Sequence, residues 1–113
     1  MPYIAISISK QVDMQTKDAL QKKIAGIMEV IPGKNAANTI LNITDGCTFY
    51  NNTKPMEAAF IDVRLYKESP EESKKAFAEQ MFGIFETVLG IPPSNVSMNF
   101  TEQPCWAANG SYF

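Results

Sequence analysis

The second half of this 113-residue chain repeats the first without a gap. Gly33-Lys34-Asn35-Ala36-Ala37-Asn38-Thr39-Ile40-Leu41-Asn42-Ile43 lies over Gly90-Ile91-Pro92-Pro93-Ser94-Asn95-Val96-Ser97-Met98-Asn99-Phe100. The glycine, both asparagines and the apolar pattern coincide, and at the same offset Ile4 lies over Ile61. A repeat of this kind requires each half to be the same supersecondary unit. Residues 2–9 alternate isoleucine with small or polar residues, the period of a strand. Residues 14–31 carry Leu20, Ile24, Ile27, Met28 and Ile31 at helical spacing, with Asp13 as N-cap and Pro32-Gly33 as the stop. Residues 38–44 read as a second strand.

The other half follows the same plan. A strand over 57–65 leads to a helix opened by Ser69-Pro70-Glu71-Glu72, with Ser69 as its cap. Phe77, Met81, Ile84, Phe85 and Val88 supply the buried stripe. Gly90 ends the helix and Val96–Thr101 is the last long strand. Strand–helix–strand crossovers pair their strands in parallel, so two units predict an α/β (α+β) domain: a four-stranded mixed sheet with both helices on one face. Asp45-Gly46 reads as a turn, Cys47–Tyr50 as a short extended piece, and Asn51-Asn52 as part of a polar loop. Asn109-Gly110 signals a small hairpin or edge strand in the tail. A sheet covered on one face leaves the other bare. Ile4, Ile40, Leu41 and Met98 are too many for two short helices, so the bare face is expected to meet other subunits.

Composition removes several classes of chemistry. There is no histidine, so Ser-His-Asp and Cys-His devices are excluded. Cys47 and Cys105 cannot build the usual Cys/His zinc site, and no C-x-x-C occurs. No cofactor or metal is expected. The general base must be a carboxylate, a lysine, a tyrosine or the chain's amino end. The net charge of −2 and a single arginine, Arg64, make nucleic acid an unsuitable partner. No apolar stretch would span a bilayer, and no secretory signal is visible, so a reducing, cytoplasmic setting is the expectation. Glycosylation at the N-x-S/T sequons of Asn42, Asn51, Asn95, Asn99 and Asn109 is not expected there.

A Met-Pro start, the tandem repeat and the ending Asn109-Gly110-Ser111-Tyr112-Phe113 together resemble the macrophage migration inhibitory factor (MIF) branch of the tautomerase superfamily. Gly33-Lys34, Thr48-Phe49-Tyr50-Asn51-Asn52-Thr53-Lys54-Pro55, Gly90-Ile91-Pro92 and Val96-Ser97-Met98-Asn99-Phe100 add to the resemblance, which covers nearly the whole chain. The family implies a homotrimer and a cofactor-independent keto–enol tautomerase acting on a small α-keto acid. Its base would be Pro2, freed by removal of Met1. A free α-amine titrates near 8, and burial or a nearby cation lowers that value. Without the family, a proline at this position simply starts a strand. The resemblance makes Lys34 the group that binds a substrate carboxylate or polarises the enol oxygen; by itself it would equally stabilise the end of the first helix. Asn99 would offer its amide to the pocket.

The chain also departs from the family. Ser97 stands where a pocket tyrosine is usual. Ala108 stands where a tryptophan is usual, with Trp106 two positions earlier. Tyr66 occupies the place of an isoleucine and is a candidate to restore aromatic surface; Ser97, Tyr66 and Trp106 therefore join Asn99 as candidate substrate-binding residues. These departures weigh against phenylpyruvate, the family's usual aromatic substrate. The competing expectation is a cytokine-like binding or signalling module, facing a protein receptor, with vestigial activity.

Overall fold

The computed structural model describes residues 1–113. Its central sheet contains β1 (Tyr3–Ile8), β2 (Ile40–Thr44), β5 (Ala59–Tyr66) and β6 (Val96–Gln103) in the order β2-β1-β5-β6. Helices α1 (Met14–Ala25) and α2 (Glu71–Leu89) cross over within the two halves. Short hairpins are made by β3 (Phe49–Asn51) with β4 (Lys54–Met56), and by β7 (Ala107–Ala108) with β8 (Ser111–Tyr112).

The register carries the repeat. Tyr3 lies opposite Ile40 in the parallel β1–β2 pair and Ala59 opposite Val96 in the parallel β5–β6 pair, a step of 37 residues in both. The halves join through antiparallel β1–β5 pairing, in which Ala5 meets Asp62. Those two residues are equivalents in the repeat, so a pseudo-twofold passes between them. Ile4, Ile6 and Ile8 of β1 and Ile61, Val63 and Leu65 of β5 are buried beneath Leu20, Ile24, Phe77, Met81 and Phe85. Each such side chain contributes about 1.5–3 kcal/mol on burial.

Four expectations change. The first helix stops at Ala25 rather than at residue 31. Gly26, a poor helix former, accompanies a tightening to three-residue hydrogen bonds: Ile27 N–H to Ile24 O and Ile31 N–H to Met28 O, both 3.1 Å. The tighter winding still leaves Met28 and Ile31 fully buried. Ser69 does not cap α2; Pro70 holds that position, and the Ser69 N–H is taken by the Glu102 carboxylate. Glu71 and Glu72 place negative charge on the first turn instead. The polar loop around Asn51-Asn52 is a two-residue hairpin turn, with Asn52 at φ 52° and Thr53 at φ 64°. Finally, Ile4, Leu41 and Met98 point at the helices, not away from them. The opposite face presents Ser7, Asn42, Thr44, Arg64, Ser97 and Asn99, with Ile40 and Phe60 as its exposed large hydrophobic residues.

Asp13 does cap α1, accepting from the Thr16 N–H at 2.8 Å. Gly90 does end α2, at φ 69°. The tail hairpin turns on Asn109-Gly110, both at positive φ.

Candidate active site

The start of β1 lies where its neighbour β5 runs past it. Tyr3 is paired with Arg64, so continuing the register sets Met1 opposite Tyr66. Pro2 is buried, and its carbonyl accepts from the Ile40 N–H at 3.0 Å, which extends the β1–β2 ladder to the first residues of the chain. Beside it opens a cavity of about 380 Å³ lined by Met1, Pro2, Tyr3, Ile40, Trp106, Ala107, Ala108 and Asn109.

Lys34 supplies the cation. The chain leaves the first crossover through Gly33, at φ 79°, a conformation that suits glycine, and the Lys34 N–H returns to Ile31 O at 3.0 Å. The ammonium then reaches across to the Tyr66 carbonyl at 3.3 Å. The Met1 amine is pushed below its ordinary 8.0, first by burial and second by the charge on Lys34. With Met1 attached the titrating amine is Met1's and the Pro2 nitrogen is an amide.

The sequence candidates divide into two groups. Pro2, Lys34, Tyr66 and Trp106 converge at this end of the sheet. The Tyr66 ring, however, is engaged by Phe113, with centroids 5.5 Å apart, and by the Lys67 ammonium at 5.1 Å. Ser97 and Asn99 lie exposed on β6, two strands away. Asn99 pairs with Asp62, which pairs with Ala5; Ser97 pairs with Phe60, which pairs with Ser7. At ~3.3 Å per residue and ~4.8 Å per strand, they stand roughly 14 Å and 19 Å from Pro2 within one subunit. Sequence reasoning missed Ile40 and Asn109 as cavity residues. Asn-Gly announced the turn but not where the hairpin would rest.

A separate groove of about 400 Å³ lies between α1 and β2, lined by Met14, Lys17 and Leu41 among others. Its lysine is committed to Asp45 at 2.9 Å, which leaves the groove little chemistry. No cluster of three or more His, Cys, Asp or Glu side chains could hold a metal ion, and no helix is long and apolar enough to cross a membrane.

No family model and no curated protein sequence matches this chain. Solved structures do match in shape. The crystal structure of Leishmania major MIF2 superposes with a TM-score of 0.91 at 18% identity, over 100% of this chain and 97% of that one. The macrophage migration inhibitory factor homologue of Prochlorococcus marinus gives 0.77 at 25% identity, over 98% of both chains. A fused 4-OT described as an asymmetric trimer gives 0.86 at 14% identity, over 97% of this chain and 94% of that one. The chain therefore has the fold shared by macrophage migration inhibitory factor and the tautomerase superfamily.

Proposed function

We propose that this chain is a cofactor-independent keto–enol tautomerase that acts on a small α-keto acid. Its base is the Pro2 amine, exposed by removal of Met1. The observation that carries this reading is a buried Pro2 in the wall of a cavity, with the Lys34 ammonium close enough to lower the pKa of the adjoining Met1 amine. A neutral amine there removes a proton from the carbon beside the keto group. The electron pair moves onto the keto oxygen, and the amine returns the proton to that oxygen or to the carbon. Lys34 holds the substrate carboxylate and keeps the amine neutral near pH 7. The walls of Ile40, Trp106 and the two alanines suit an apolar side chain.

The working unit in this reading is a homotrimer, the assembly named for the 4-OT relative. Ser97 and Asn99 are too far from their own Pro2, and they are exposed on the open face, so they serve the pocket of a neighbouring copy.

Two measurements test the proposal together. Intact mass of purified protein reports whether Met1 is absent. Turnover of a panel of small α-keto acids, aliphatic ones together with phenylpyruvate and hydroxyphenylpyruvate, is then compared between wild type and Pro2→Ala. The expected result is a mass short by one methionine, measurable turnover, and a loss of about 100-fold or more in kcat/KM for the variant. Full activity in Pro2→Ala, or none in a preparation lacking Met1, would overturn it.

A further inference from the structure

We propose that Phe113 is a positioning residue: through the Tyr66–Lys67 peptide, it fixes the seat on which the Lys34 ammonium rests.

The peptide between Tyr66 and Lys67 is gripped from two sides. Its N–H donates to Gln103 O on β6 at 2.8 Å. In a trans peptide the carbonyl points the opposite way. The Tyr66 carbonyl therefore faces the β1 side, where the sheet has already run out because β1 begins at Tyr3. Lys34 fills that vacancy at 3.3 Å. The orientation of one peptide plane thus decides where the cation stands.

The same peptide is a weak point of the backbone. Lys67 sits at φ 66°, a left-handed conformation that costs a residue with a Cβ about 1–2 kcal/mol. The Tyr66 ring stands next to it. Phe113 holds it, with centroids 5.5 Å apart and planes tilted by 56°. Phe113 is itself tied down, because its N–H donates to Trp106 O at 2.8 Å. Trp106 and the β7–β8 hairpin line the cavity beside Pro2. One aromatic contact therefore joins the cavity wall to the peptide that holds the cation. Any displacement of the hairpin is felt at Lys34 without either element touching it.

The test reads Lys34 directly. Wild type, Phe113→Ala and Phe113→Tyr are trace-labelled with acetic anhydride, and acetylation of Lys34 is measured by peptide mass spectrometry relative to exposed Lys54. Phe113 is 49% exposed, so loss of its ring leaves the core intact. The expected result is a rise of about two- to tenfold in Lys34 labelling for Phe113→Ala, the range set by an aromatic pair, and wild-type labelling for Phe113→Tyr. Equal labelling in all three proteins would overturn the proposal. This readout requires no turnover, so it stands apart from the tautomerase reading. Where wild type turns over an α-keto acid, Phe113→Ala is further expected to raise KM by a similar factor. It also moves the acid limb of the kcat/KM profile upward, and Phe113→Tyr restores both. A uniform fall in kcat with an unmoved pH profile would mean that Phe113 has a general structural role, and would also sink the proposal.

Discussion

Lys34 illustrates how little a residue's type decides and how much its reach does. Sequence alone would let it stabilise the end of the first helix, but α1 ends at Ala25 and the ammonium instead reaches Tyr66 O. Removing it leaves burial as the main influence on the nearby amine, and burial is already the larger of the two causes. A base with a lowered pKa is active from a lower pH. If Pro2 is the base, the rising limb of kcat/KM in Lys34→Ala should therefore shift upward, because a cation that disfavours the protonated amine has been removed. KM for a keto acid should rise about tenfold or more, the scale of a lost charged hydrogen bond. A pH–rate series on both proteins checks the two effects together.

Glu102 shows a carboxylate used for structure. It accepts from the Ser69 N–H and from the Lys74 ammonium, and these bonds hold its pKa below the ordinary 4.5. A depressed carboxylate pKa adds stability that is complete above the unfolded value and is lost as pH falls through the folded one. Glu102→Gln is thus expected to be less stable by about 1–2 kcal/mol at pH 7. The gap should narrow as pH falls below 4.5, as read from urea midpoints along a pH series.

At the scale of elements, two glycines, one inside α2 and one at its C-cap, have opposite roles. Gly90 closes α2 at φ 69°, and a Cβ there would come within 3.4 Å of the Lys10 ammonium, which donates to Leu89 O at 2.7 Å. Gly90→Ala meets both the left-handed penalty and a crowded lysine, so it should destabilise by about 1–2 kcal/mol. Gly83 lies exposed inside α2, with nothing within 4 Å of its missing Cβ. Gly83→Ala should stabilise by about 0.5–1 kcal/mol. Denaturant midpoints of the two variants, shifted in opposite directions, check this reading of α2. The repeat also shows where the two pseudo-symmetric ends of the sheet differ. Where Lys34 stands in the first half, the second has Ile91, fully buried in the core.

At the scale of the whole molecule, the distance between Pro2 and Asn99 becomes a prediction about assembly. Sedimentation is expected to show three copies of the 12.6 kDa chain. If each pocket takes Pro2 from one copy and Asn99 from its neighbour, Pro2→Ala and Asn99→Ala should complement each other. An equal mixture, unfolded and refolded together, would recover about one competent site in four, while each variant alone stays impaired. Absence of recovery would mean that both residues serve the same subunit's site.

The alternation in residues 2–9, the stripe over Leu20 and Ile24, and the Gly90 stop were legible in the sequence because they are local: a side-chain period or a single φ requirement decides each. The repeat did more, since equal halves impose equal crossovers and so one sheet. What the sequence left open were relations between distant segments. The early end of α1 came with a tighter turn after Gly26 that keeps Met28 and Ile31 in the core, a packing relation no local pattern shows. Pro70 rather than Ser69 took the cap position of α2, and the Ser69 N–H met Glu102, a residue 33 positions away on β6. Most of all, the site depends on β5 outrunning β1 by two residues, which strands a carbonyl for Lys34, and on a hairpin folding back to wall in the cavity. Pairwise register and the closure of a tail onto a strand end are long-range energies. No window of sequence contains both partners, so only the folded chain could decide them.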